Sequence, residues 1–196
     1  MNKRANFEVV LKSSIRKQIL EKLKALSRIE KMQQSKAIEQ QLKSTLTDEL
    51  GLWVAYKNLS DEPEIQWDQV STDIRWAFPK IKNDTLEFYK DSEMFTKSEL
   101  GFAEPISGTR VGLDEIQGCI LPGLAFDKKG YRLGRGKGFY DRALSEYKGT
   151  KIGVCFKTSL WTPLWTSLCE ELPHEPHDVR CDQIVTENQI FKVMEV

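Results

Sequence analysis

The stretch GCILPGLAF, Gly118 to Phe126, is an apolar run that carries no charge and holds a Pro-Gly pair toward its end. A run of this kind reads as a strand covered on both faces, the situation of strands in parallel sheets flanked by helices. Similar runs lie on either side: LWVAYKNL (Leu52–Leu59), WAFPKI (Trp76–Ile81), TLEFYK (Thr85–Lys90) and KIGVCF (Lys151–Phe156), with strand character again in CDQIVTE and IFKVMEV (Cys181–Glu187 and Ile190–Val196). Helical patterns alternate with them. Phe7, Val10, Leu11, Ile15, Ile19, Leu23 and Leu26 recur at helical spacing, and a more polar helix is expected over Glu30–Leu50 with Gly51 as its stop. Short helices are expected in Ile65–Arg75 and over Lys137–Tyr147. The expected fold class is α/β: one three-layer αβα domain over residues 1–196, with a largely parallel central sheet preceded by two N-terminal helices. Such sheets bind ligands at the carboxyl ends of their strands.

Composition narrows the function classes. A chain of 196 residues can bury a full core without staples. Lys and Arg number 29 and Asp and Glu 29, so no general polyanion surface is indicated and no nucleic-acid partner is expected. Uncharged apolar stretches such as Leu50–Tyr56 fall far short of a bilayer span, and the N-terminus MNKRANFEVV has no apolar leader core. A cytoplasmic protein with no membrane partner is the expectation. Cys119, Cys155, Cys169 and Cys181 form no CxxC pair and are expected to be reduced thiols.

The chemistry concentrates after the Gly118–Phe126 strand. LGRGKGFYD (Leu133–Asp141) sets glycines at alternate positions with two cations between them and runs into a helix, where bare backbone N–H groups and a helix start can hold phosphate. It is neither a Walker loop, since Gly138 follows Lys137, nor GxGxxG, since Phe139 stands at the third glycine. A flexible hairpin with solvated cations is the plain alternative. Lys12 and Arg16, four apart on the first helix, either close over phosphates or belong to a solvated face with Lys17 and Lys24. HEPHDVRCD (His174–Asp182), with Cys169, offers zinc-ligand types at unfamiliar spacing; Asp178 suits a hard cation better, as one or two carboxylates commonly hold Mg²⁺ beside nucleotide phosphates. No GxSxG supports a hydrolase.

The run ILPGLAFDKKGYRLGRGKGFYDRAL (Ile120–Leu144), EPISGTR after LGFA, and LPHEPHDVRCDQIVTE (Leu172–Glu187) together resemble the 5-formyltetrahydrofolate cyclo-ligase family, also called 5,10-methenyltetrahydrofolate synthetase. The resemblance spans nearly the whole chain. It implies conversion of 5-formyltetrahydrofolate to 5,10-methenyltetrahydrofolate with Mg²⁺ and ATP, releasing ADP and phosphate, in a monomer whose partners are these small molecules. It places ATP on Arg132, Leu133, Gly134, Arg135, Gly136, Lys137, Gly138, Phe139 and Tyr140, with help from Lys12 and Arg16. Lys137 and Arg135 would neutralise charge in catalysis, and Asp141 and Asp178 would hold magnesium. Glu62, in EPEI, and Phe139 would meet the folate. The chain departs from the family at Pro63, at Ile65 and at Phe139, where a tyrosine is usual. Two other readings keep the site: the same chemistry on another formylated or amide compound, or a folate- or nucleotide-binding relative without catalysis. A sugar-phosphate isomerase of similar layout would need no ATP.

Overall fold

The computed structural model describes residues 3–160 and 171–193, with side chains from residue 8 onward; Cys169 and the tail from 194 lie outside them. The chain opens with α1 (Lys3–Ala25), which buries Leu11, Ile15, Ile19 and Leu23. These follow one another at strict steps of four, so the buried stripe is narrower than the expected one. Val10, a hundred degrees round the helix from Leu11, is 67% exposed. α2 (Arg28–Thr45) begins at a capping box: the Ser27 hydroxyl accepts the Glu30 N–H at 3.2 Å and the Glu30 carboxylate accepts the Ser27 N–H at 2.7 Å. The helix ends at Thr45, short of Gly51. That glycine instead opens β1 (Gly51–Val54) at φ +87°, where a side chain would also run into Gln117, whose amide oxygen accepts the Leu52 N–H.

The chain continues through α3 (Trp67–Val70), β2 (Ile74–Lys82), β3 (Thr85–Lys90), β4 (Phe95–Lys97), β5 (Ala103–Pro105), β6 (Thr109–Val111), β7 (Ile116–Pro122), β8 (Ala125–Phe126), β9 (Arg132–Leu133), α4 (Phe139–Ala143), β10 (Thr150–Val154), β11 (Gln183–Val185) and β12 (Ile190–Lys192). Among the described residues, eight strands form one sheet in the order β12-β11-β10-β7-β1-β2-β3-β6. The inner neighbours β11, β10, β7, β1 and β2 pair in parallel, whereas β12, β3 and β6 join antiparallel.

Alternate residues of the inner strands feed two separate cores. Trp53, Ile120, Ile152, Val154 and Val185 pack with the stripes of α1 and α2 on one face. Leu52, Val54, Cys119, Leu121 and Ile184 pack on the other with Leu144 and Tyr147, next to α4. The uncharged run that pointed to a two-sided strand is thus β7, and its Pro122-Gly123 pair marks the strand end. Gly118 is fixed by packing, because a Cβ there would enter the Trp53 ring.

Three local differences from the sequence expectation bear on the site. β1 stops at Val54, so Tyr56–Leu59 is loop rather than strand. The β4–β5 hairpin and β6 carry no long apolar pattern and were not expected. α4 starts at Phe139 rather than Lys137, because Gly138 occupies the left-handed region at φ +64° as its N-terminal cap.

Candidate functional site

Where the parallel strands β1 and β7 end, the chain opens a cavity of about 610 Å³, a size suited to small-molecule ligands. The segment after β1 contributes Tyr56, Lys57, Leu59 and Glu62, and the segment after β7 contributes Gly123 and Leu124. α1 supplies Lys12 and Arg16, and the whole of Arg132–Asp141 forms another wall, with Asp178 beside it. Every residue that the family resemblance assigns to ATP, magnesium or folate therefore lines one cavity.

Gly136 and Gly138 have φ of +91° and +64°, and a Cβ on Gly136 would lie 3.4 Å from the Arg16 guanidinium. Arg16 Nε donates to the Gly134 carbonyl at 2.8 Å, so α1 clasps the loop directly. Burial lowers the Arg16 pKa, and the Asp178 carboxylate partly offsets that shift. Arg142 holds the loop from the far side: its guanidinium donates to the Lys137 carbonyl at 2.6 Å and to the Asp84 carbonyl. The Lys137 side chain is exposed and makes no hydrogen bond or ion pair among the described residues.

Carboxylates and cations interleave round the cavity. Arg132 has its guanidinium almost fully buried, donates to Asp141 Oδ1 at 3.1 Å and to the Pro122 carbonyl at 3.3 Å, and leaves its Nε without a partner among the described residues. Asp141 Oδ1 also accepts the Val179 N–H at 3.1 Å, which brings the loop against the residue following Asp178. Lys12 Nζ donates to Asp178 Oδ2 at 2.9 Å, with Glu175 Oε2 at 3.7 Å. Arg135, though exposed, meets carboxylates: it is paired with Asp61 and lies 3.3 Å from Glu62 Oε1. Glu62 is buried, and desolvation raises its pKa despite the Leu59 N–H and Arg135, which act the other way. Burial likewise pushes the Tyr140 phenol up, and Arg132 lies over the Tyr140 ring at 5.2 Å.

The C-terminal cluster sorts itself differently from a zinc site. Glu175, His177 and Asp178 bring ligating atoms within 4.8 Å of one another. His174 instead stacks on Tyr131 at 3.6 Å, and Cys181 is a buried free thiol pushed up to about 12 by desolvation. Cys119 is also pushed up to about 12, and Cys155 goes up, so these three thiols are inert at neutral pH. Sequence reading passed over Asp61, Lys57, Arg142, Glu175 and the apolar wall of Pro79, Leu86, Leu100 and Phe102. Asp61 and Glu175 adjoin singled-out residues in sequence; the wall had no single local signal, since Pro79 on β2 and Leu86 on β3 share it with Leu100 and Phe102 of the β4–β5 hairpin only in the folded chain.

Residues 8–187 match the model of the 5-formyltetrahydrofolate cyclo-ligase family. The chain is 33% identical over 153 residues to a 5-formyltetrahydrofolate cyclo-ligase of Mycoplasma pneumoniae, covering 74% of this chain and 85% of the relative. It is 30% identical over 120 residues to a probable 5-formyltetrahydrofolate cyclo-ligase of Schizosaccharomyces pombe, a match covering 54% of this chain and 56% of that protein. The solved structure of Aquifex aeolicus 5,10-methenyltetrahydrofolate synthetase superimposes with a TM-score of 0.77 at 29% identity, over 95% of this chain and 94% of that one.

Proposed function

The chain belongs to the 5-formyltetrahydrofolate cyclo-ligase family, and we propose that it closes 5-formyltetrahydrofolate to 5,10-methenyltetrahydrofolate with Mg-ATP in the cavity at the ends of β1 and β7. The observation that carries this reading is the convergence of the clasped glycine loop, a buried Glu62 side chain and the two carboxylates Asp141 and Asp178 on one cavity.

The N5-formyl group is an amide, and its oxygen is a poor leaving group. Transfer of the ATP γ-phosphoryl to that oxygen breaks the bond to the β–γ bridging oxygen, frees ADP and turns the formyl oxygen into a phosphate ester; N10 then attacks the formyl carbon, loses its proton to solvent, and expulsion of phosphate leaves the methenyl bridge. Phosphoryl transfer asks a protein chiefly for positioning and charge neutralisation. The loop N–H groups and the unpaired Lys137 ammonium serve the phosphates, while Arg16 holds the loop and Lys12, paired with Asp178, closes the cavity beside it. Glu62, protonated more readily than an ordinary carboxylate, suits hydrogen bonds to the pterin. Phe139 supplies an aromatic wall without the hydroxyl of the usual tyrosine, and Arg135 links the Glu62 side to the loop.

The donor set fits a hard divalent cation. Asp141 and Asp178 each commit one oxygen, Oδ1 to Arg132 and Val179 and Oδ2 to Lys12 and Glu175 N–H, leaving the second oxygen without a hydrogen-bond donor among the described residues. Bound there, Mg²⁺ would neutralise phosphate charge. The reading is tested by ADP release: ADP should form only when 5-formyltetrahydrofolate, Mg²⁺ and ATP are all present. ADP formed at the same rate without the folate would contradict it, and none under any condition would favour a binding module.

A further inference from the structure

Most cations of the cavity are committed to the glycine loop or to carboxylates beside it. Lys57 stands apart. It follows β1 rather than the loop, and its ammonium lies 4.7 Å from the Phe78 ring centroid and 4.6 Å from that of Phe95, while the two rings meet edge to face. Among the described residues it makes no hydrogen bond or ion pair; Asp68 acts on it only at longer range, and burial lowers its pKa. Aromatic faces hold an ammonium in place but satisfy none of its N–H donors. A half-buried lysine kept at a cavity wall in this way is preorganised for an anion that the chain itself does not provide.

Its neighbours suggest which anion. Phe95 lies on β4, and the same hairpin carries Leu100 and Phe102, which line the cavity together with Leu59. The space round Gly101 is bounded by Leu59 and Lys97, so the hairpin packs on the segment that follows β1. A reduced folate has three parts: a pterin rich in N–H donors, an apolar aminobenzoyl ring, and a glutamate with two carboxylates. Buried Glu62 matches the first, Leu59, Leu100 and Phe102 the second. We propose that Lys57 receives a carboxylate of the glutamate end and so makes the chain discriminate folyl from pteroyl substrates. This rests on the function proposed above.

The experiment compares 5-formyltetrahydrofolate with 5-formyltetrahydropteroate, which lacks the glutamate, in calorimetric binding and in turnover. A charge-assisted hydrogen bond of ordinary strength corresponds to about tenfold in affinity. Wild type should bind the folyl compound about tenfold more tightly; Lys57→Met should lose that difference by weakening the folyl compound alone, and Lys57→Arg should restore most of it. Should Lys57→Met not fold, Lys57→Gln carries the same comparison. Equal affinity of wild type for the two compounds, or equal weakening of both by the variant, overturns the inference. Binding of both without turnover sinks the proposed activity while leaving the Lys57 comparison readable, and failure of wild type to bind either compound sinks both.

Discussion

Lys137 in the glycine loop and Asp141 on α4 are four residues apart, yet their substitutions should be read by different instruments. The Lys137 ammonium has no partner among the described residues, so its loss leaves nothing buried and uncompensated. Lys137→Ala should lower kcat by about a hundredfold or more while shifting unfolding free energy by less than about 0.5 kcal/mol. Steady-state kinetics beside urea melts would check it, and a wild-type rate would remove Lys137 from the chemistry. Asp141 neutralises a guanidinium that is only 5% exposed. Asp141→Asn should therefore cost stability, on the order of 2–3 kcal/mol, in addition to any change in magnesium dependence. A urea midpoint equal to wild type would show that the ion pair is energetically idle. Glu62 gives a pH signature. Its folded pKa is raised by desolvation, so the protonated form is favoured by folding: its stabilising contribution is full below the ordinary carboxylate range and is lost as pH rises through the raised value. Between about pH 4 and neutrality, wild type should lose stability relative to Glu62→Gln. A stability difference between the two that does not change with pH would contradict the burial argument.

At the scale of the element, the glycine loop works by being held rather than by being flexible. Arg16 grips the Gly134 carbonyl from α1, and Arg142 grips the Lys137 carbonyl from α4, with Gly136 taking positive φ between the two clamps and Gly138 just after the second. Gly136→Ala would need a side chain at φ +91°, a strain of about 1–2 kcal/mol. The expected result is an ATP affinity weakened about tenfold, read by calorimetric titration with Mg-ATP; an unchanged isotherm would show that the loop conformation is not the binding conformation. The loop's alternating glycines made it legible in sequence, but the clamps did not. Arg142 looks like any solvent-facing helical cation until Asp84, far away in the chain, comes beneath it. The β4–β5 hairpin and β6 were illegible for another reason. Their three-residue strands, FTK, AEP and TRV, are too short and too polar to show a period, and they are held by pairing with partners that local sequence does not reveal.

For the molecule as a whole, the central strands and the N-terminal helices were readable because their burial writes directly into composition: β7 carries apolar residues on both faces, and α1 buries a residue every four positions. Strand order was not written locally. It takes β7 between β1 and β10 to bring Glu62, after β1, to the same cavity as Pro122-Gly123, after β7, and it takes α1 folded across that edge to place Lys12 on Asp178. The cation–carboxylate pairs that now cross the cavity, Lys12 to Asp178 and Arg135 to Asp61 and Glu62, join segments remote in sequence, and spacing rules alone did not anticipate them. The direct test of the account is to mix the protein with 5-formyltetrahydrofolate and Mg-ATP and follow the absorbance of the methenyl product, omitting each component in turn. The account predicts product only in the complete mixture, stoichiometric with ADP; no product above the enzyme-free control would contradict it.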